Sequence, residues 1–158
     1  TKLLPAEAKF TAAPGTPLSG TLILTSGYLP MRRLKKRASS HFAIDLRASV
    51  GTSVFSMTGG RVYAVENRSD DSFVKIITDK NVIVTYLHVA PIVKKDDVVV
   101  PKQQIATIRK FGPNSEYNKE HLHVAIEYKG MRYNPEQVMN ISQTNNTPDA
   151  ILHFKEKK

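Results

Sequence analysis

Between Thr21 and Tyr133 the chain is broken into nine short runs rich in Val, Ile, Thr, Phe and Tyr: TLILTS, FAIDL, SVFSM, RVYAVE, FVKIIT, VIVTYLHV, QIATIR, HLHVAIEY and MRY. Each has the length of a strand and is bounded by turn residues, and no stretch holds a helical period long enough for a long helix. That pattern confines the chain to an all-β fold. Gly59-Gly60 and Asp79-Lys80-Asn81 read as hairpin turns, because glycine and asparagine tolerate the positive φ that tight turns demand. Only PEQVMN, after Asn134, reads as a single helical turn. With 158 residues and 41% hydrophobic content, the chain has the size of one domain with one continuous core. Residues 1–19 carry Pro5, Pro14 and Pro17 among small residues and read as an extended lead-in or linker. Residues 20–138 form the expected domain, and residues 139–158, beginning near SQTNNTPDA, read as a polar and basic tail.

The composition removes several classes. No apolar run approaches the roughly 20 residues that a helix needs to span a bilayer, so no membrane span is expected. Without cysteine, the chain forms no disulfide, and any zinc site must be built from histidine and carboxylate. A formal charge of +9 implies attraction to a polyanion, whether nucleic acid, an anionic membrane or an anionic cell wall. The aromatics Phe42, Phe55, Tyr63 and Phe73 raise a nucleic-acid-binding β-barrel as one reading. Strand alternation places such residues more often in a core than on a stacking platform, and nucleic acid is not the expected partner. The chain begins Thr1-Lys2, without an initiator methionine, as it would after removal of an export signal or an upstream domain.

Four of the five histidines fall in HFAID at His41 to Asp45, YLH ending at His88, and HLH at His121 to His123. Only His153 lies apart. In HLHVAIEY, period-two geometry sends His121, His123 and Ala125 to one face and Leu122, Val124 and Ile126 to the other. The two histidine Cα atoms then sit roughly 7 Å apart, which suits one binding a metal and its neighbour handling water. An isolated HxH reads more simply as two solvent-facing side chains. His41 and Asp45 would be about 13 Å apart in a straight strand, too far to share an ion whose bonds are about 2.0–2.2 Å. The backbone must therefore bend, and Ala43 is the expected place. His88 ends an apolar run and by itself reads as a core or edge residue. Taken together, two histidines and a carboxylate complete a three-ligand site with an open position, leaving two histidines for proton transfer.

These motifs resemble those of the lysostaphin-type zinc metallo-endopeptidases, the LytM family, over about Leu22 to Pro135. HFAID matches the family's histidine-aspartate motif, HLH its histidine-any-histidine motif, and Tyr86-Leu87-His88 its tyrosine-any-histidine element. GTSVFSMTGGRVYAV and MRYNP resemble flanking family segments. The resemblance implies a mainly antiparallel sheet forming an open groove, of duplicated-hybrid-motif type, with little or no helix. It also implies one Zn2+ per chain held by His41, Asp45 and His123, with His88 and His121 as the catalytic histidines. The expected partners are peptidoglycan and other anionic wall polymers, and the expected location is outside the cytoplasm: periplasm, cell envelope or extracellular space. Departures fall at glycines: Ala43, Asp96 before Asp97, and QQIA at Gln103 to Ala106 stand where the family usually has glycine-containing turns. FGPNSEYNKE, from Phe111 to Glu120, replaces a glycine- and serine-rich loop. Tyr28 is the nearest tyrosine before the first ligand histidine and receives no role.

The implied reaction is hydrolysis of peptide cross-links by a metal-activated water, with His121 taking the proton and His88 stabilising the oxyanion, or the reverse. The alternative is a non-catalytic domain of the same fold that binds cell wall or activates a partner hydrolase. MRRLKKR, with five cations in seven residues, is either an anchor for an anionic polymer or a solvated basic loop.

Overall fold

The computed structural model describes residues 3–11, 14–33, 38–113, 115, 119–139 and 143–144. Its strands are β1 (Ile23–Ser26), β2 (Leu29–Arg33), β3 (Ala38–His41), β4 (Ile44–Arg47), β5 (Ser53–Phe55), β6 (Gly60–Glu66) and β7 (Phe73–Ile77). They continue with β8 (Val82–Leu87), β9 (Val89–Pro91), β10 (Val98–Val99), β11 (Gln104–Ile108), β12 (His121–Tyr128), β13 (Met131–Tyr133) and β14 (Gln143–Thr144). The fold is all-β and mainly antiparallel. Among the described residues the helical content is two short 3-10 turns, Ala6–Ala8 and Pro135–Val138. The second lies in the expected PEQVMN segment, where the Asn134 side chain accepts from the Glu136 N–H at 3.0 Å and so caps a donor that a helix start leaves open.

The main sheet runs β10-β6-β7-β8-β12-β4-β1-β14, with β13 on the side of β12. A three-stranded sheet, β5-β11-β9, and a two-stranded one, β2-β3, complete the open, grooved architecture. Alternation explains which face is core: Val74 and Ile76 on β7, Val82, Val84 and Tyr86 on β8, Leu122, Val124 and Ile126 on β12, and Ile44 and Leu46 on β4 are all buried. Burying such side chains contributes on the order of 1.5–3 kcal/mol each. Tyr86 adds a polar tie, its hydroxyl accepting from the Met57 N–H at 2.8 Å. Its burial pushes the phenol pKa up, so the group stays neutral where it is packed.

Turn chemistry met some expectations and overturned others. Asn81 has φ 64° in the hairpin that pairs Ile77 with Ile83, as the Asp79-Lys80-Asn81 reading requires. Gly59-Gly60 is not a hairpin turn, because β5 and β6 belong to different sheets. Glycine is needed there on two counts: Gly60 has φ 155°, and a Cβ on it would collide with the Ile77 carbonyl oxygen on the neighbouring strand. The run VIVTYLHV is not one strand. His88, at φ 73°, turns the chain out of the main sheet after β8 and into the three-stranded sheet as β9. Among the glycine departures, Asp96 takes the left-handed conformation, at φ 76°, as does Lys102 directly before Gln103, at φ 74°, whereas Ala43 and residues 103–106 have no positive φ. Asp96 also pairs with Arg61 at 2.7 Å, an exposed contact of small energetic weight.

The Pro-rich lead-in is packed. Leu4, Ala8 and Leu18 are buried in the same core as the sheet residues, and the Gly15 N–H reaches the Met57 carbonyl at 2.8 Å while the Phe55 N–H reaches the Pro17 carbonyl at 2.9 Å. Proline content favours extended backbone, although Ala6–Ala8 form a 3-10 turn, and it carries no information on whether interspersed apolar residues find a surface. In MRRLKKR, the backbone of Met31–Arg33 lies in β2 and is not loop. The remaining four positions, along with His153, fall outside the described residues. Of the segment read as tail, Gln143 and Thr144 pair in parallel with Ile23 and Leu24. Phe42 and Tyr63, read as core aromatics, are exposed. Gly60→Ala is expected to lower stability by about 1–3 kcal/mol, because the strand pairing must shift to admit the methyl group; urea denaturation measures it.

Candidate metal centre

The site is set by sheet register. β12 pairs with β4 so that His123 stands opposite Asp45 and His121 opposite Arg47. On its other side β12 pairs with β8, placing His123 opposite Leu87, one residue before the turn at His88. With Ile44, Leu46, Leu122 and Val124 committed to the core face, Asp45, His121 and His123 emerge on the opposite face. That face is covered: His121 is 4% exposed and Asp45 2%. The solvent-facing reading of HLH therefore fails. His41 enters from a different sheet. β3 ends at His41, the chain leaves strand conformation at Phe42, bends at Ala43 and resumes as β4 at Ile44. The bend brings His41 Nε2 to 3.5 Å from Asp45 Oδ1, where a straight strand would have kept the two apart.

His41, Asp45 and His123 each offer a donor atom within 4.8 Å of the others. His123 Nδ1 lies 2.9 Å from Asp45 Oδ1, and His121 Nε2 lies 3.7 Å from the same oxygen. The rings of His88 and His121 are 4.7 Å apart between centroids, and His88 and His123 are 5.8 Å apart. All five residues singled out from the sequence converge on one spot.

The outer contacts fix which nitrogen faces inward. His41 Nδ1 lies 2.8 Å from the Gly27 carbonyl, His88 Nδ1 2.7 Å from the Asp70 carbonyl and His121 Nδ1 2.8 Å from the Lys119 carbonyl. A carbonyl only accepts, so each Nδ1 carries a proton, and a ring in its neutral form turns an Nε2 lone pair toward the centre. His41 Nε2 is buried and has no hydrogen-bond partner, an arrangement that costs about 1–3 kcal/mol unless something fills it. A divalent cation at this point would supply the missing partner. Two imidazoles and a carboxylate form a nitrogen and oxygen set suited to zinc, with a fourth position open.

Burial would raise the Asp45 carboxyl, yet the charges of His121 and His41 and the hydrogen bond from His123 outweigh it and hold the group well below the usual carboxylate range. His88 moves the other way from a protonated histidine: burial and the neighbouring His121 bring it from 6.5 to about 4. Burial likewise lowers His123. Both rings are thus held in the neutral form that a metal or a proton acceptor requires.

Other residues at the site carried no readable signal. Phe111 packs edge-on against His88 and His121, at 5.1 and 5.6 Å. Asp70 and Lys119 act through backbone carbonyls, which every residue type possesses. Tyr28 points elsewhere: its hydroxyl bonds the Arg132 carbonyl at 3.3 Å and its ring packs on Phe42.

An all-β groove with a buried His-Asp-His donor set and two further inward-facing histidines defines a candidate mononuclear metal centre of hydrolase type. A model of peptidase family M23 matches residues 39–135, more than half of the chain. The chain belongs to peptidase family M23, the lysostaphin-type family whose motifs it carries. Among solved structures, it is similar to a zinc-containing peptidase from Vibrio cholerae, with TM-score 0.65 and 23% identity over 78% of this chain. The match spans only 39% of that longer protein. A chain of the SpoIIQ-SpoIIIAH pore-forming complex matches with TM-score 0.68 and 18% identity, over 82% of this chain and 94% of the other. The catalytic domain of lysostaphin, an antimicrobial peptidase of Staphylococcus simulans, matches with TM-score 0.57 and 20% identity, over 70% and 86%.

The titration of His88 has a measurable consequence. Its folded pKa lies below its unfolded one, so between about pH 6.5 and 4 the unfolded chain binds a proton that the folded chain refuses. Stability supplied by neutral His88 is complete above that window and is lost as pH falls through it, on the order of 3 kcal/mol. His88→Asn keeps a residue that tolerates the left-handed backbone and is expected to flatten this dependence. Denaturant melts of chelator-treated protein across the window read it directly.

Proposed function

We propose that this chain is a zinc-dependent endopeptidase that hydrolyses peptide cross-links in bacterial peptidoglycan, acting outside the cytoplasm. The observation that carries the reading is the buried, partnerless Nε2 of His41 beside Asp45 and His123, within a domain of a peptidase family. His41, Asp45 and His123 would hold the zinc, which when bound supplies Lewis acidity toward a carbonyl and a lowered pKa for water. His121 presents an Nε2 lone pair at the centre and takes the proton from the attacking water. His88 lies beside it and, once its Nε2 has taken up a proton from solvent, donates that N–H to the developing oxyanion. Burial disfavours a proton on His88 in the resting site, and the negative charge growing on the substrate is what raises its proton affinity. The reverse assignment, with His88 as base, uses the same two lone pairs. Residues 20–138 carry this chemistry, and the excess positive charge draws the domain to anionic wall polymers.

The likeness to a chain of the SpoIIQ-SpoIIIAH complex favours a second reading, a non-catalytic domain that binds the wall or activates a partner hydrolase. Against it stands the convergence of three donors and two inward-facing histidines, which binding alone does not require.

Purified peptidoglycan of defined cross-link type, digested with and without a chelator and analysed by mass spectrometry, tests reaction, metal and substrate together. Cleaved cross-links that vanish with chelation and return with zinc are expected. Substituting His41, Asp45 or His123 with alanine should abolish both zinc content and cleavage. Replacing His88 or His121 singly should leave zinc bound and lower turnover by about 10²–10⁴-fold. Intact turnover in those last two variants would remove the two histidines from the mechanism, and a zinc-loaded parent chain that cleaves nothing would return the domain to the binding reading.

A further inference from the structure

His88 is held by a loop that contributes nothing to the donor set. The segment between β6 and β7 is folded on itself: Ser72 Oγ accepts from the Arg68 and Ser69 N–H groups at 2.8 and 3.0 Å and donates to the Ser69 carbonyl at 2.7 Å. From this turn the Ser72 carbonyl accepts the N–H groups of His88 and Val89, at 2.9 and 3.2 Å, and the Arg109 N–H reaches the His88 carbonyl at 3.0 Å. These bonds hold His88 in its left-handed conformation, which most non-glycine residues avoid.

Asp70 makes two contacts of different kinds. Its backbone carbonyl accepts from His88 Nδ1 at 2.7 Å, and its carboxylate accepts the N–H of Gly112 at 2.8 Å. Gly112 follows Phe111, whose ring touches both His88 and His121 and whose own N–H is held by Glu120 Oε2 at 2.9 Å. The Asp70 carboxylate is therefore a direct tie between the loop that orients His88 and the segment that seats Phe111, and the nearer of two to the ring, the other being Arg109 Nη1 on Asn67 Oδ1 at 2.6 Å. Such a bond, with an ionised acceptor, is stronger than a neutral one.

We propose that Asp70 is a positioning residue of this site: its carboxylate, by clamping Gly112, seats Phe111 against the two histidine rings and keeps its own carbonyl on His88 Nδ1. This rests on the catalytic roles given above to His88 and His121. Neighbouring Asp71 is the rival for the same task, with Oδ1 3.8 Å from His88 Nδ1. That separation exceeds a hydrogen bond, and the Asp71 side chain is 63% exposed, so it holds the ring weakly.

The full chain carrying Asp70→Ala, Asp70→Asn, Phe111→Ala or Asp71→Ala tests the assignment. Asp70→Ala retains the backbone carbonyl and loses only the clamp. With zinc loaded, Asp70→Ala and Phe111→Ala should lower kcat by about 10–100-fold while KM and zinc content stay within about twofold. Asparagine at position 70 still offers an oxygen to Gly112 and should restore turnover, and Asp71→Ala should leave it unchanged. Independently of activity, two-bond proton–nitrogen NMR of the imidazoles in metal-free protein should show one Nδ1–H tautomer for His88 in the parent and in Asp70→Asn, and a mixture in Asp70→Ala. A single tautomer retained in Asp70→Ala, or failure of asparagine to rescue, overturns the proposal, as does a larger loss in Asp71→Ala. If the parent chain cleaves no peptidoglycan but the tautomer mixture appears, the positioning of the ring is upheld and the peptidase reading falls.

Discussion

A carboxylate buried without compensation is among the costliest things a fold can contain, and Asp45 is nearly inaccessible at 2% exposure. Its neighbours are arranged around that fact. His123 lies within hydrogen-bond distance, and His41 and His121 stand within 4 Å of the same oxygen. The cluster holds the carboxyl ionised against the effect of burial. These histidines come from separate parts of the chain, His41 from the end of β3 and His121 and His123 from β12, so the sheets are obliged to meet at this residue. The β4–β12 register and the bend at Ala43 bring imidazoles to that oxygen, and the turn at His88 sets a fourth ring against those of His121 and His123.

The site sits where strands are interrupted. β12 contributes His121 and His123 from regular alternation, but His41 ends a strand in the small two-stranded sheet and His88 lies at the junction of two sheets. A continuous strand points alternate side chains to fixed faces, which cannot gather four rings and a carboxylate into one cluster. Breaking two strands next to the unbroken one solves the problem, and the left-handed φ at His88 is the strain accepted in doing so. Backbone carbonyls at Gly27, Asp70 and Lys119 then fix the tautomers. The chemistry of the centre thus depends on loops whose residue types leave no trace of the role.

Much of this was legible in the residues. Period-two alternation located the strands, and the thirteen ångström or so separating positions four apart in a strand required the bend that Ala43 provides. HFAID, YLH and HLH named the five side chains that meet. Other features were hidden for identifiable reasons. VIVTYLHV looked like one strand because composition does not report a single left-handed residue within it. Gly59-Gly60 looked like a hairpin because glycine signals a need for space or for positive φ without saying what imposes it, and at Gly60 both arise within a strand beside the Ile77 carbonyl. The lead-in read as an extended lead-in or linker because proline speaks to backbone extension and is silent on the burial of Leu4, Ala8 and Leu18.

Sequence alone determined the quantities that are local: which residues can ligate or move protons, which strand faces they occupy, and the absence of thiol chemistry. Tertiary structure decided the quantities that depend on distance between remote segments. The register of β4 against β12 set Asp45 opposite His123, the sheet junction carried His88 to within ring contact of His121, and three remote or neighbouring carbonyls chose the inward nitrogen. Period and composition are properties of neighbours along a chain. A metal centre instead needs atoms from four segments held within a few ångströms, and only the closing of the sheets on a common core fixes that.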